Sequence, residues 1–165
     1  MNLPDWSVRR WVLVAIVVFA AIGLALGTPA QKTLVVERVD SGEVIIADSV
    51  SNGTTVGLEY MHSVEKTRVY DEYTVRGMSL ANTRMEFESY GWGLPAGANV
   101  TLEDGVFVFE PDKSYQSITV KPGRIANHTL TVGDRTYDLV ERADANSVHI
   151  RVTRTTPLTR LLVGR

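Results

Sequence analysis

Tyr60-Met61-His62-Ser63-Val64-Glu65-Lys66-Thr67-Arg68-Val69-Tyr70-Asp71-Glu72-Tyr73 decides the fold. Two short runs of alternating polar and apolar residues flank a polar stretch, the pattern of a β-hairpin. A turn centred on Lys66-Thr67 pairs residues whose numbers sum to 133: Val64 with Val69, His62 with Asp71, Tyr60 with Tyr73 and Leu58 with Val75. Side chains alternate between the two faces of a sheet, so these eight share one face. A His–Asp pair then sits among apolar neighbours. Met61, Ser63, Glu65, Arg68, Tyr70 and Glu72 take the other face, with Glu65 opposite Arg68. A slip of one residue would pair His62 with Glu72 instead and turn Asp71 to the wrong side.

The period of two extends outward from the hairpin. Thr33–Val39 and Glu43–Ala47 flank Asp40-Ser41-Gly42; Thr54–Val64 and Val69–Arg76 form the hairpin; Thr83–Tyr90 follows. Gly91-Trp92-Gly93-Leu94-Pro95-Ala96-Gly97 interrupts the alternation. Val100–Leu102 and Val106–Phe109 flank Glu103-Asp104-Gly105, and Ser117–Val120, Thr129–Val132, Thr136–Val140 and Val148–Thr153 complete the set. No stretch after Pro29 sustains a helical stripe. About ten short, evenly spaced strands predict an all-β domain, an antiparallel β-sandwich or partly closed barrel.

Ahead of it, Trp11 to Gly27 carries no charge and follows Arg9-Arg10. A basic flank before an apolar run is the arrangement of an export segment, with the basic side cytoplasmic. Seventeen helical residues rise about 25 Å against a hydrocarbon core of roughly 30 Å, which suits either a signal peptide or a retained signal anchor. The small-residue cleavage patterns at Ala25–Ala30 are loose, and Pro29 disfavours a cut, so retention is the preferred reading. The organisation expected is a short cytoplasmic N-terminus at 1–10, a transmembrane signal anchor at 11–28 and an extracytoplasmic β-domain at 29–165, in a single-pass protein of the cell membrane. The tail from Pro157 to Arg165 is too short to span and is expected to pack on the domain.

The 165 residues contain no Cys, which excludes thiol nucleophiles and zinc ribbons. Beyond residue 32 the chain holds 14 Lys and Arg against 18 Asp and Glu, and this mildly acidic balance disfavours nucleic-acid backbone binding. Three Asn-x-Thr sequons, at Asn52, Asn99 and Asn127, are of a density expected in a Thr-rich β-protein.

His62 and Asp71 are the leading candidates for function. The bland reading is a buried pair that fixes strand register; the functional one is contact with a ligand, a partner or a metal. Ser63 adjoins His62, so in a strand the two point to opposite faces and do not form a nucleophile–base pair. Glu86, with Glu88 two residues on, belongs to a polar face. Gly91, Gly93 and Pro95 make turns first, and a Gly-x-Gly without a following helix is no dinucleotide motif. No catalytic residue is assigned, and neither a metal nor a cofactor is specified.

Tyr60-x-His62-Ser63-Val64, an acidic residue nine beyond the His, Tyr73, then Met85-Glu86-Phe87-Glu88 leading into Gly91-Trp92-Gly93-Leu94-Pro95, and Asp104-Gly105 before an alternating strand, together resemble the uncharacterised DUF1850 family. The resemblance covers most of residues 34–153. Arg68 stands where that family often has Pro, and Trp92 where a small residue is usual. It implies an exported or membrane-anchored protein commonly encoded beside TAXI-type TRAP transporters, with no established activity. The function expected is therefore an extracytoplasmic accessory domain that binds a component or solute of such a transporter, through His62, Ser63, Asp71, Glu86, Gly91, Gly93 and Pro95. The alternative is a small metal-dependent or acid–base hydrolase built on the His–Asp pair.

Overall fold

A computed structural model describes residues 6–26, 30–90 and 99–156. Among the described residues twelve strands form two antiparallel sheets, neither closed into a barrel. The smaller sheet has the order β2 (Val44–Ser49), β1 (Gln31–Arg38), β12 (Val148–Thr155) and β9 (Ser117–Val120). The larger runs β11 (Arg135–Asp138), β10 (Thr129–Val132), β3 (Thr55–Met61), β4 (Arg68–Arg76), β5 (Ser79–Phe87), β7 (Val106–Phe109), β6 (Val100–Glu103), with β8 (Lys113–Tyr115) also on β5. Of the expected antiparallel sandwich or partly closed barrel of about ten strands, the antiparallel all-β sheets are present and the closure is not, and the described residues hold about two strands more.

One apolar core lies between the sheets. Leu34, Val36, Ile46, Val148, Ile150 and Val152 of the small sheet meet Val56, Leu58, Tyr73, Val75, Leu80 and Leu130 of the large one. Both edges of the layer pair are tied. At one edge, Gln116 alone separates β8 from β9, so the chain crosses between sheets there. At the other, the buried Asp48 of β2 accepts hydrogen bonds from Arg135 and, at 2.6 Å, from the Tyr137 hydroxyl of β11.

The stretch expected to be a strand at Thr136–Val140 divides into β11 and a short helix, α2 (Leu139–Ala143). Asp138 caps the helix by accepting from the Glu141 amide at 3.0 Å, and Asp144 ends it in the left-handed region at φ 49°. Leu139 and Ala143, four apart on one face, enter the core.

At the N-terminus, α1 spans Trp6–Leu26. Its described side chains end at Phe19, and all of them are exposed. Among the described residues no helix is long and apolar enough to cross a membrane. The transmembrane span expected at 11–28 is therefore not met on the part described: the 14 residues from Trp6 to Phe19 rise about 21 Å and include Arg9 and Arg10. The tail from Pro157 lies outside the described residues.

Candidate functional site

The central hairpin forms, in a different register. Leu58 faces Asp71, Tyr60 faces Val69 and Val56 faces Tyr73, so partner numbers sum to 129 instead of 133. The expected two-residue turn is replaced by a loop from His62 to Thr67. It is closed by the His62 amide donating to the Thr67 carbonyl at 2.8 Å and the Lys66 amide donating to the His62 carbonyl at 3.0 Å. Lys66 sits at φ 57°, and the Glu65 amide donates to His62 Nδ1 at 3.2 Å. The imidazole thus caps its own loop. A slip of four is even, so Val69, Asp71, Tyr73 and Val75 keep the buried face predicted for them. Val64 does not: it leaves the ladder for the loop and is 68% exposed.

His62 and Asp71 are consequently not cross-strand partners. Four residues of strand, about 13 Å, separate their places on the face. His62 is buried beside the loop and Ser63 is exposed on it.

The polar neighbour of Asp71 is Asn82, a residue outside the expected site. A bulge in β5 brings it there: Glu72 faces Arg84 but Tyr73 faces Asn82, leaving Thr83 as the extra residue. Without that extra residue Asn82 would turn to the outer face. Both residues are 6% exposed. Hydrogen bonding from Asn82 favours ionised Asp71, but burial outweighs it and pushes the carboxyl up to about 6. Asp71 Oδ1 and Asn82 Oδ1 are both buried without a hydrogen-bond partner.

Strand pairing fixes the surroundings of the two acceptors. Across the sheet Asp71 lies between Leu58 and Met85, and Met85 faces Phe109; one row along, Tyr73 lies between Val56 and Asn82, and Asn82 faces Lys113. Directly opposed residues share a face, so all of these line the inner side of the large sheet. Met85 and Phe109 are only half-buried, while Lys113 and Tyr115 are exposed at the β8 edge. Tyr115 meets Tyr73 edge to face at 6.3 Å. Tyr60 stacks on His128 at 5.1 Å, and His128 Nδ1 accepts from the Gly123 amide at 3.3 Å. Burial foremost, and the Asp71 charge next, raise the Tyr60 hydroxyl to about 12 and push Tyr73 upward too.

Glu86 stands on the opposite face. It pairs with Tyr70, one position out of phase with Asp71, and belongs to a ladder of charges across the outer side of the sheet. Arg68 binds Glu59 at 2.8 Å and Glu86 at 3.2 Å; Arg84 binds Glu86 at 2.8 Å and Glu103 at 2.9 Å. Arg84, then Arg68, hold the Glu86 carboxyl below its usual range against the opposing effect of burial. Arg68 therefore does not pair with Glu65, as the shorter turn would have had it. Gly91, Gly93 and Pro95 lie outside the described residues. Of the seven expected site residues, the structure places His62 and Ser63 on the loop, Asp71 on the inner face and Glu86 on the outer one, so these four do not form one cleft. Among the described residues, no three His, Asp or Glu side chains stand together as a metal site.

The family model "Domain of unknown function (DUF1850)" matches residues 56–139, from β3 to the first residue of α2. The chain belongs to that family. The matched stretch holds the loop, Asp71, Asn82 and the ion ladder, and excludes most of the small sheet. No curated protein and no solved structure matches the chain.

Proposed function

We propose that this DUF1850 protein is a membrane-anchored, extracytoplasmic accessory domain that binds a component or solute of a TAXI-type TRAP transporter. The observation that carries the anchoring is α1, whose described residues expose Trp11, Leu13, Ile16, Val17 and Phe19 together. A helix apolar all round has no amphipathic face to lay on a sandwich, and the uncharged run from Trp11 to Gly27 behind Arg9-Arg10 gives the lipid and the orientation. Residues 1–10 are then cytoplasmic, 11–28 the anchor and 29–165 outside. Transporter association rests on the family's usual gene neighbourhood. The spread of the acid–base candidates among the described residues supports binding over hydrolysis: Ser63 is exposed, Glu86 is held by two arginines on the far face, and Asp71 has an amide, not an imidazole, as its polar neighbour.

Copurification of the tagged full chain in mild neutral detergent tests the association. Enrichment of a transporter subunit or of its solute-binding protein is the expected result; none, with and without candidate solutes present, would remove the transporter from the account.

A further inference from the structure

Two buried oxygen atoms on neighbouring side chains, one of them of a carboxylate, that find no hydrogen-bond partner and no cation among the described residues are costly to keep unless something supplies both. We propose that Asp71 and Asn82 form a binding site for the protonated primary amine of a small ligand. The ammonium would donate to Asp71 Oδ1 and Asn82 Oδ1, the two atoms left without partners. Water could donate to both oxygens but would leave the carboxylate charge uncompensated; a primary ammonium supplies charge and three N–H groups from one atom.

The neighbours fit that class. Met85 and Phe109 continue the Asp71 row as half-buried apolar surface, on which a short hydrocarbon stem can lie. Tyr73 and Tyr115 supply aromatic rings, whose faces attract cations. Tyr115 and Lys113 are exposed at the β8 edge, the side from which a ligand would enter. The site is separate from the transporter association and is tested on the purified protein alone, so either can fail without the other.

The ionisable groups of the inner face in this region are Tyr60 of β3, Tyr73 of β4, Lys113 and Tyr115 of β8, and His128 ahead of β10. Burial lowers His128 and raises Tyr60 and Tyr73, so these three are neutral at pH 8, and Asp71 carries the negative charge that an ammonium would meet. A proton competes with the amine for Asp71.

The test is calorimetric titration of the full chain in neutral detergent with n-butylammonium, and with n-butyltrimethylammonium, which has the same charge and stem but no N–H donor. Binding of the first and not the second at pH 8 is expected, with affinity roughly tenfold weaker at pH 5, where about a tenth of Asp71 is ionised. Asp71→Asn should abolish binding, and Asn82→Leu, which keeps the carboxylate and removes one acceptor, should weaken it by about tenfold. No binding of n-butylammonium, equal binding of both cations, or n-butylammonium binding that survives both substitutions would each overturn the proposal. The two-cation comparison uses the unaltered chain, so it decides even if a variant fails to fold.

Discussion

The two faces of the large sheet treat a carboxylate in opposite ways. On the outer face Glu86 lies between two guanidiniums in a ladder that reaches from Glu59 to Glu103. On the inner face, one position along the neighbouring strand, Asp71 has an amide beside it and, among the described residues, no cation. The outer carboxyl is pulled below its ordinary range and the inner one pushed above it. Side-chain chemistry is nearly the same in the two; burial and partner decide. A fold with charge to spare on one side of a sheet has left a charge unpaired on the other, and that asymmetry marks the inner face as the place to look for binding.

The largest effect expected is on pH dependence. Folding raises Asp71 from 3.8 to about 6, so the native state binds its proton more tightly than the unfolded chain does. The resulting stabilisation is full below pH 4 and is lost as pH rises through 6, a difference of about 3 kcal/mol. Asp71→Asn should remove this slope and, at pH 8 without ligand, be more stable than the parent by up to about 3 kcal/mol, read from urea unfolding at several pH values. A variant whose slope matches the parent would put the buried charge elsewhere.

The outer face should respond next to packing rather than charge. A Cβ on Gly57 would stand 2.6 Å from the Tyr70 hydroxyl and 2.7 Å from a ring carbon, so the ring lies directly over the glycine. Gly57→Ala should cost about 1–3 kcal/mol by overpacking, and Tyr70→Ser should relieve most of that cost in the double variant. Additive losses would mean that the ring does not rest there.

The ladder itself should matter least. Its residues are partly exposed, and Glu86→Gln should cost less than about 1 kcal/mol, shrinking further as salt is added. Its pH dependence has the opposite sign to that of Asp71. The depressed Glu86 carboxyl contributes above its unfolded value of 4.5, and the contribution disappears as pH falls through the lower folded value. A salt-independent loss of several kcal/mol would make the outer face the costly one and reverse the comparison.

Much of this was legible in the residues. Alternation from Val69 to Val75 identified the buried face of β4 and placed Asp71 on it. Register was not legible, because a slip of four leaves every face unchanged and only the loop, where the His62 ring accepts the Glu65 amide, separates 129 from 133. Asn82 is hidden in the residues because alternation marks the strand only from Thr83; it begins at Ser79, after a turn through Gly77 at φ 64°, and a bulge alone turns Asn82 inward. The helix α2 is one turn long, and alternation around Thr136–Val140 concealed its Asp138 cap.

The most direct test of the account is the titration of the Asp71 side-chain carboxyl in the ligand-free full chain, followed by its ¹³C chemical shift. A midpoint close to about 6 is predicted, moving further upward in Asn82→Leu as the hydrogen bond favouring the ionised form is lost. A midpoint at or below about 4 would mean that the carboxylate is hydrated or paired with a cation, and would contradict the buried, uncompensated site on the inner face.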